Sequence, residues 1–340
     1  MGLHALQNRK GAAMLRYIAR RVGNMAVTMF FIIILGFMII ELPPGSYLEF
    51  EIERLRQAGG NVYQDQIEAM EKTYGVHDPI PLKFWKWVSG FARGNFGFSF
   101  EYMKPVSEII WARLGYTLII SVLTLIFSWS VAIVIGVYSA THRYTLPDYA
   151  ITVVQFIGLS VPGFLMALVL MVVAQQYFGM EVGGLFSDQY RAAPWSVEKF
   201  IDFLKHLWIP ILVIGLNGTA WVSRVMRGNL LDVLGMQYVQ TARAKGLAEQ
   251  KVIWKHAVRN ALHPLLMVLG TSLPAIVSGE VIVATVLNLP TSGPIYFRAL
   301  VQQDMYLAGT FLVFLALILL IGNLIADILL AWLDPRIQYE

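Results

Sequence analysis

One carboxylate stands alone in an apolar run: Glu280 is the only charge between Pro264 and Leu287. A charge at membrane depth costs at least about 2.5 kcal/mol, so such a group usually faces a bundle interior or a wet cavity. Two readings are open for it. Either Glu280 lines a solute path or latches helices, or it snorkels outward or hydrogen-bonds structurally. Asp327, with Asn323 one turn before it, interrupts the run Met305 to Leu333, and an interhelical polar contact is the simpler reading there. His256 and His263 are seven residues apart and no carboxylate or further histidine joins them, so no metal site is expected. There is no cysteine, hence no disulfide and no thiolate ligand. No Gly-Lys dipeptide exists to close a phosphate-binding loop, and neither a Gly-x-Ser-x-Gly nor a His-Glu-x-x-His motif can be written. What remains is a basic segment, 224–263, carrying Arg224, Arg227, Arg243, Lys245, Lys251, Lys255 and Arg259.

The elements that must position these groups are membrane helices. The chain has 340 residues, 57% of them hydrophobic and 14% charged, with a net charge of +4. Soluble domains carry about 25% charged residues, and so few charges cannot cover a soluble surface. A disordered or collagen-like chain is excluded by the apolar excess, and nothing suggests nucleic-acid binding. Runs long enough to span a bilayer lie at Val22 to Ile40, Leu114 to Ala140, Tyr149 to Met180, Leu207 to Ser223, Pro264 to Leu287 and Met305 to Leu333. The third is expected to be one tilted helix kinked at Pro162. The reading is an all-α polytopic membrane protein with about six transmembrane helices.

Orientation follows from the short loops. Arg9, Lys10, Arg16, Arg20 and Arg21 place the N-terminus in the cytoplasm, and alternate counting puts 141–148, 224–263 and the tail with Arg336 on the same side. The organisation expected is an N-terminal extension over 1–13, a retained first transmembrane helix over 14–42, a helical extracytoplasmic insertion over 43–113 and a five-helix transmembrane core over 114–340. Within the insertion, 47–58 and 63–73 read as helices and 82–92 as a helix lying in the interface. A second polar excursion, 181–206, holds a helix at 196–206. In the basic segment, a short helix ends at Gly246, whose missing Cβ permits a sharp turn. A second, amphipathic helix follows, with Trp254, Val258, Ala261, Leu262 and Leu265 on its apolar face, and enters the membrane at Pro264.

These residues resemble a known family. Tyr238, Val239, Thr241, Ala242, Arg243, Ala244, Lys245, Gly246 and Leu247, then His256, Ala257, Arg259, Asn260, Ala261, Leu262 and Pro264, look like the cytoplasmic signature of dipeptide/oligopeptide permeases, the inner-membrane subunits of bacterial ABC importers. The resemblance extends to Met14 through Ile18, Tyr74-Gly75-Val76 with Asp78-Pro79, Gly94 through Ser99, Pro105 through Ile109, and Leu333 through Arg336. Two departures stand out. The broader importer motif begins Glu-Ala-Ala where this chain reads Gln240, Thr241 and Ala242, and after Glu280 an aromatic-Pro-Gly-x-Gly segment is replaced by Asn288 through Pro294.

The resemblance implies a type I ABC importer permease fold and a pore subunit of a binding-protein-dependent importer in the bacterial inner membrane. Its partners would be a second permease subunit, commonly as a heterodimer, two cytoplasmic ATPases and an extracytoplasmic binding protein. The chain itself would be no enzyme and hold no cofactor; ATP and Mg would belong to the ATPases. Tyr238, Thr241, Ala242, Arg243, Ala244, Lys245, Gly246 and Leu247 would couple to an ATPase, with His256, Arg259 and Asn260 on the following helix and Glu280 on the translocation path. Short peptides come first as substrate, oligosaccharides or opines second. An ion-coupled secondary transporter is the alternative of another class, and dependence on a separate ATPase would tell them apart.

Overall fold

The computed structural model describes residues 2–41, 47–59, 64, 67–68, 71, 78–99, 101–180, 183–279 and 281–333. The sequence readings at Glu280, at 74–76, at 334–336 and over most of 63–73 lie outside the described residues.

The chain is helical almost throughout. Helices α1 (Gly2–Glu41), α2 (Tyr47–Ala58) and α3 (Ile80–Ala92) lead to an antiparallel two-stranded ribbon, β1 (Phe98–Ser99) with β2 (Lys104–Pro105). There follow α4 (Val106–Thr141), α5 (Leu146–Ser160), α6 (Gly163–Phe178), α7 (Asp188–Arg191), α8 (Val197–Leu234) and α9 (Gln237–Ala244). Then α10 (Glu249–Lys251) runs through a π-helical turn (Val252–Ala257) into α11 (Val258–Ala261). The last four are α12 (His263–Gly279), α13 (Val281–Val286), α14 (Ser292–Val301) and α15 (Met305–Leu333). Among the described residues five helical stretches are long and apolar enough to cross a bilayer: Ile18–Ile39, Val106–Thr141, Val197–Leu234, His263–Val286 and Met305–Leu330. The pair α5 and α6 makes a sixth if it counts as one span. The chain is a multi-pass membrane protein.

Three elements differ from the sequence reading. The expected kinked helix at Tyr149 to Met180 is two helices bent by 109°. Pro162 has no N–H to continue α5, and it holds Val161 before it in extended backbone, φ −85° and ψ 123°. The expected span Leu207 to Ser223 is the uncharged middle of one longer helix, α8, which extends toward its N-terminus to take in the helix foreseen at 196–206 and toward its C-terminus as far as Leu234. Its N-terminal turns keep Lys199, Asp202 and His206 buried, so hydropathy alone stops short of them. Likewise α4 begins at Val106, eight residues before the apolar run.

The chain forms two compact units. The smaller takes in Ala19–Gly115 and Pro294–Leu317. Its core packs Phe96, Val106, Ile110 and Leu114 against Ile295, Ala299 and Leu307. The expected interfacial helix at 82–92 is α3, and it is only half interfacial: Trp85 is exposed, while Trp87 is buried against Phe37 of α1. Lys83 binds Glu41 at 2.6 Å at the end of α1. Asp304 caps α15, accepting from the Leu307 N–H at 3.3 Å, and also accepts the Ser99 hydroxyl of the ribbon. Burial pushes the Asp304 carboxyl above its usual range, and the bonds from Ser99, Leu307 and Glu101 pull it only partly back.

The larger unit takes in Tyr116–Gly293 with the terminal stretches Met1–Ile18 and Ile318–Glu340. One apolar cluster gathers Ile120, Leu207, Ile209, Val213, Val283 and Leu287. A second gathers Val137, Met226, Leu230, Val239, Ala242, Val252, Ala257, Val258 and Leu265. The second cluster is where the basic segment meets the membrane helices.

Candidate functional site

The short helix read from the sequence at 238–245 is α9, and its two buried residues fix its orientation. Val239 and Ala242, three apart and so on one face, are buried in the second cluster. Tyr238, Thr241, Ala244 and Lys245 are thereby left on the exposed side, with Arg243 between. A small residue is required at 242 because the helix lies against the π-helical turn. The stretch between α8 and α9 is held by Gln240, whose Nε2 donates to the Leu234 carbonyl at 3.1 Å. Gln240 thus takes on the task of satisfying an orphan helix-end carbonyl.

The glycine turn is present. Gly246 has φ +73°, in the left-handed region, and nothing lies within 4 Å of where a Cβ would sit. It is backbone conformation rather than space that asks for glycine there. Across the turn, Arg243 grips Glu249 with Nη2 at 2.6 Å and Nε at 3.1 and 3.2 Å. The Arg243 hydrogen bond holds the Glu249 carboxyl below its usual range, and Glu249 in turn raises Arg243. A second tie joins the ends of the loop: Asn260 Nδ2 donates to the Tyr238 hydroxyl at 2.6 Å. Leu247 packs, half-buried, on the second cluster. His256 is half-buried in the π-helical turn and Arg259 is exposed.

The apolar face of the second helix is not the expected one. Val252, Ala257, Val258, Ala261 and Leu265 are buried, whereas Trp254 is 51% exposed. A π-helical turn holds an extra residue, so the residues before and after it are rotated against the 3.6 period from which Trp254 was placed inside.

Sequence reasoning missed a pair that fastens this region to the membrane helices. Asp148, at the start of α5 and 3% exposed at its side chain, accepts Arg227 Nη2 of α8 at 2.8 Å and the Tyr144 N–H at 3.0 Å. The signal available was an acid in the first turn of a helix after a short basic loop. Glu249 was missed as well, although a cation and an anion flanking a turn glycine is a readable pattern.

Two pockets open in this unit. One, of about 730 Å³, is lined mainly by polar residues and lies between the end of α6, the 187–190 segment and the N-terminal turns of α8. There Asp202 accepts the Ser187 N–H at 2.8 Å and its hydroxyl at 2.6 Å. The other, of about 590 Å³, lies between α4, the α5–α6 break, the middle of α8, α12 and α13. Ser128 of its wall reaches Gly215 behind it: the hydroxyl donates to the Gly215 carbonyl at 3.0 Å, and a Cβ on Gly215 would stand 2.8 Å from the Ser128 hydroxyl oxygen. Glycine lets α4 and α8 approach there.

A helical multi-pass core with a basic helix–turn–helix packed against it defines a class: a polytopic membrane protein with an amphipathic segment fastened to its helices. Comparison with known proteins makes it specific. Residues 132–339 match the family of binding-protein-dependent transport system inner membrane components, and residues 14–121 match the N-terminal part of such membrane components. The chain belongs to this family, the permeases of ABC importers. It is 35% identical over 329 residues to the oligopeptide transport system permease protein AppB of Bacillus subtilis, covering 96% of this chain and all of that one. It is 32% identical to a probable peptide ABC transporter permease protein of Sinorhizobium fredii, covering 95% of this chain and 99% of that one. It is 27% identical to the glutathione transport system permease protein GsiC of Escherichia coli, covering 96% of this chain and all of that one.

Proposed function

We propose that this chain is the pore-forming subunit of an ATP-driven, binding-protein-dependent importer of short peptides. The observation that carries this reading is full-length similarity to permeases named for oligopeptide, peptide and glutathione transport. Those names favour peptides over oligosaccharides or opines, and family membership disfavours an ion-coupled secondary transporter. In this reading α9 is the coupling helix and seats its exposed face, Tyr238, Thr241, Ala244 and Lys245, in a groove of a cytoplasmic ATPase. ATP hydrolysis, with its Mg, resides in that partner. A second permease subunit completes the pore, an extracytoplasmic protein delivers the peptide, and both termini face the cytoplasm.

The support for α9 is mechanical. A coupling element must be stiff and tied to the membrane helices, and α9 is fixed by two buried residues, one bidentate ion pair and the Asn260–Tyr238 bond. The test is reconstitution: the tagged chain is isolated in mild detergent with its partners, and ATP-dependent uptake of labelled tripeptides is measured in liposomes with the binding protein added. Co-purification of an ATPase and uptake requiring both ATP and the binding protein are expected. A chain that purifies alone and drives uptake from an ion gradient would overturn the reading.

A further inference from the structure

Asn217 lies near the middle of α8, a membrane-spanning helix, and it is exposed. Among the described residues nothing hydrogen-bonds its side-chain amide. An unpaired amide facing hydrocarbon is strongly unfavourable, so this face meets water, a solute or another protein. The surface is also concave, being the 590 Å³ pocket. A second feature points the same way. Pro162, at the non-helical junction of α5 and α6, lines that pocket. Irregular backbone at membrane depth is tolerated only where it is buried in protein or borders a water-filled cavity. Three aromatic side chains complete the wall: Trp129, Phe164 and Trp221, the last two 41% and 46% exposed.

From these we infer that the pocket is a solute-contacting station on the translocation path, at which Asn217 hydrogen-bonds peptide amides and Trp129, Phe164 and Trp221 hold apolar or aromatic peptide side chains. The inference rests on the import reading above and adds to it a preference: peptides with a bulky apolar residue engage this wall better than those built of alanine. An amide side chain donates and accepts, which suits the peptide group whatever its side chain. Aromatic faces add selectivity without charge. A dry contact with the second permease subunit is the rival occupant, and it predicts the opposite accessibility.

The chain has no cysteine, so single cysteines report cleanly. Asn217→Cys is placed in the full complex in membranes, with Val134→Cys, an exposed apolar position on α4 outside the pocket, as the control. Both are treated with a water-soluble, membrane-impermeant thiol reagent with and without ATP and a Phe-containing tripeptide. The N217C variant is expected to react at least ten times faster than V134C in one nucleotide state and to be slowed by the tripeptide. In uptake, Trp221→Ala is expected to cut the preference for Phe-containing over Ala-containing tripeptides at least threefold, and Asn217→Gln, which keeps the amide, to transport better than Asn217→Ala. An N217C variant that assembles and supports uptake but stays unreactive, or an unchanged peptide ranking in W221A, overturns the inference. Fast labelling in a complex that imports no peptide keeps the water-lined pocket and instead overturns the peptide reading.

Discussion

At the scale of residues, the ion pair across the glycine turn is a solvent-exposed tie. Arg243 and Glu249 are 34% and 54% exposed at their side chains, so the pair contributes only about 0.2–1 kcal/mol to stability. Its value is positional, holding α9 at a set angle to the next helix. Arg243→Ala and Glu249→Ala are therefore expected to leave assembly intact while slowing ATP-driven uptake, with the swap R243E/E249R recovering part of the loss; a swap no better than either single variant would show that the charges act separately. The sign of the pH effect is fixed by Glu249. Its carboxyl lies below the ordinary range in the folded loop, so the contribution is present at neutral pH and disappears as pH falls through the depressed value. Amide exchange over 237–249, corrected for its intrinsic pH dependence, should lose protection in that acid window. Asp304 works the other way. Its raised carboxyl binds a proton more tightly when folded, so the ribbon and the start of α15 gain stability as pH falls through that raised value. Asp304→Asn keeps a cap and should remove this acid gain, read as a flat melting temperature where the parent rises.

At the scale of elements, α9 and its turn were legible because their cause is local. Glycine at 246 and small or apolar residues three apart at 239 and 242 specify a short helix and a stop without help from elsewhere. Gly246→Val forces a β-branched residue into the left-handed region at a cost of about 1–2 kcal/mol, and Ala242→Glu puts a bulky charge in the second cluster. Both are expected to insert in the membrane at parental levels and to lose transport; full uptake in both would end the assignment of α9 as the coupling helix. The π-helical turn was not legible, since it is chosen by packing of Val252 and Ala257 rather than by any local pattern, and Trp254 was placed on the wrong face as a result. The bend at Pro162 was foreseen in place and not in size: proline signals an interruption, while an angle of 109° is set by where α6 finds its neighbours. Asn217 went unnoticed because one neutral amide barely changes the hydropathy of a span.

At the scale of the whole molecule, hydropathy located the membrane segments and stopped short on α4 and α8. Charges that pack inside, such as Asp148 on Arg227 or Asp202 on Ser187, look like loop residues in a sequence and are helix residues in space. The Asp148–Arg227 pair is largely buried, so removing one partner leaves a charge uncompensated at about 3 kcal/mol. Arg227→Ala should lower the melting temperature of the assembled complex more than Arg243→Ala does. Equal losses would mean that solvent already screens the pair. Topology is testable at the same scale. A reporter active only outside the cytoplasm, fused after Asn288, should be active, and one fused after Glu249 silent; the reverse pattern would invert the proposed orientation.

One helix joins the polar pocket at its N-terminal turns, the pocket at its middle and the basic segment at its C-terminal end. At 1.5 Å per residue the 38 residues of α8 measure about 57 Å, and the one proline inside the helix is Pro210, a third of the way from its N-terminal end. Proline withholds a hydrogen bond from the carbonyl four residues earlier, so the helix has a single built-in weak joint. Below it, Asn217 and Arg227 belong to one uninterrupted rod and move in step with whatever displaces the basic end. Above it, the turns bearing Lys199, Asp202 and His206 are a separate stretch, held to Ser187 through Asp202. The stretch that carries Asn217 and Arg227 is thus one stiff piece, set off from the N-terminal turns of α8 by a single proline.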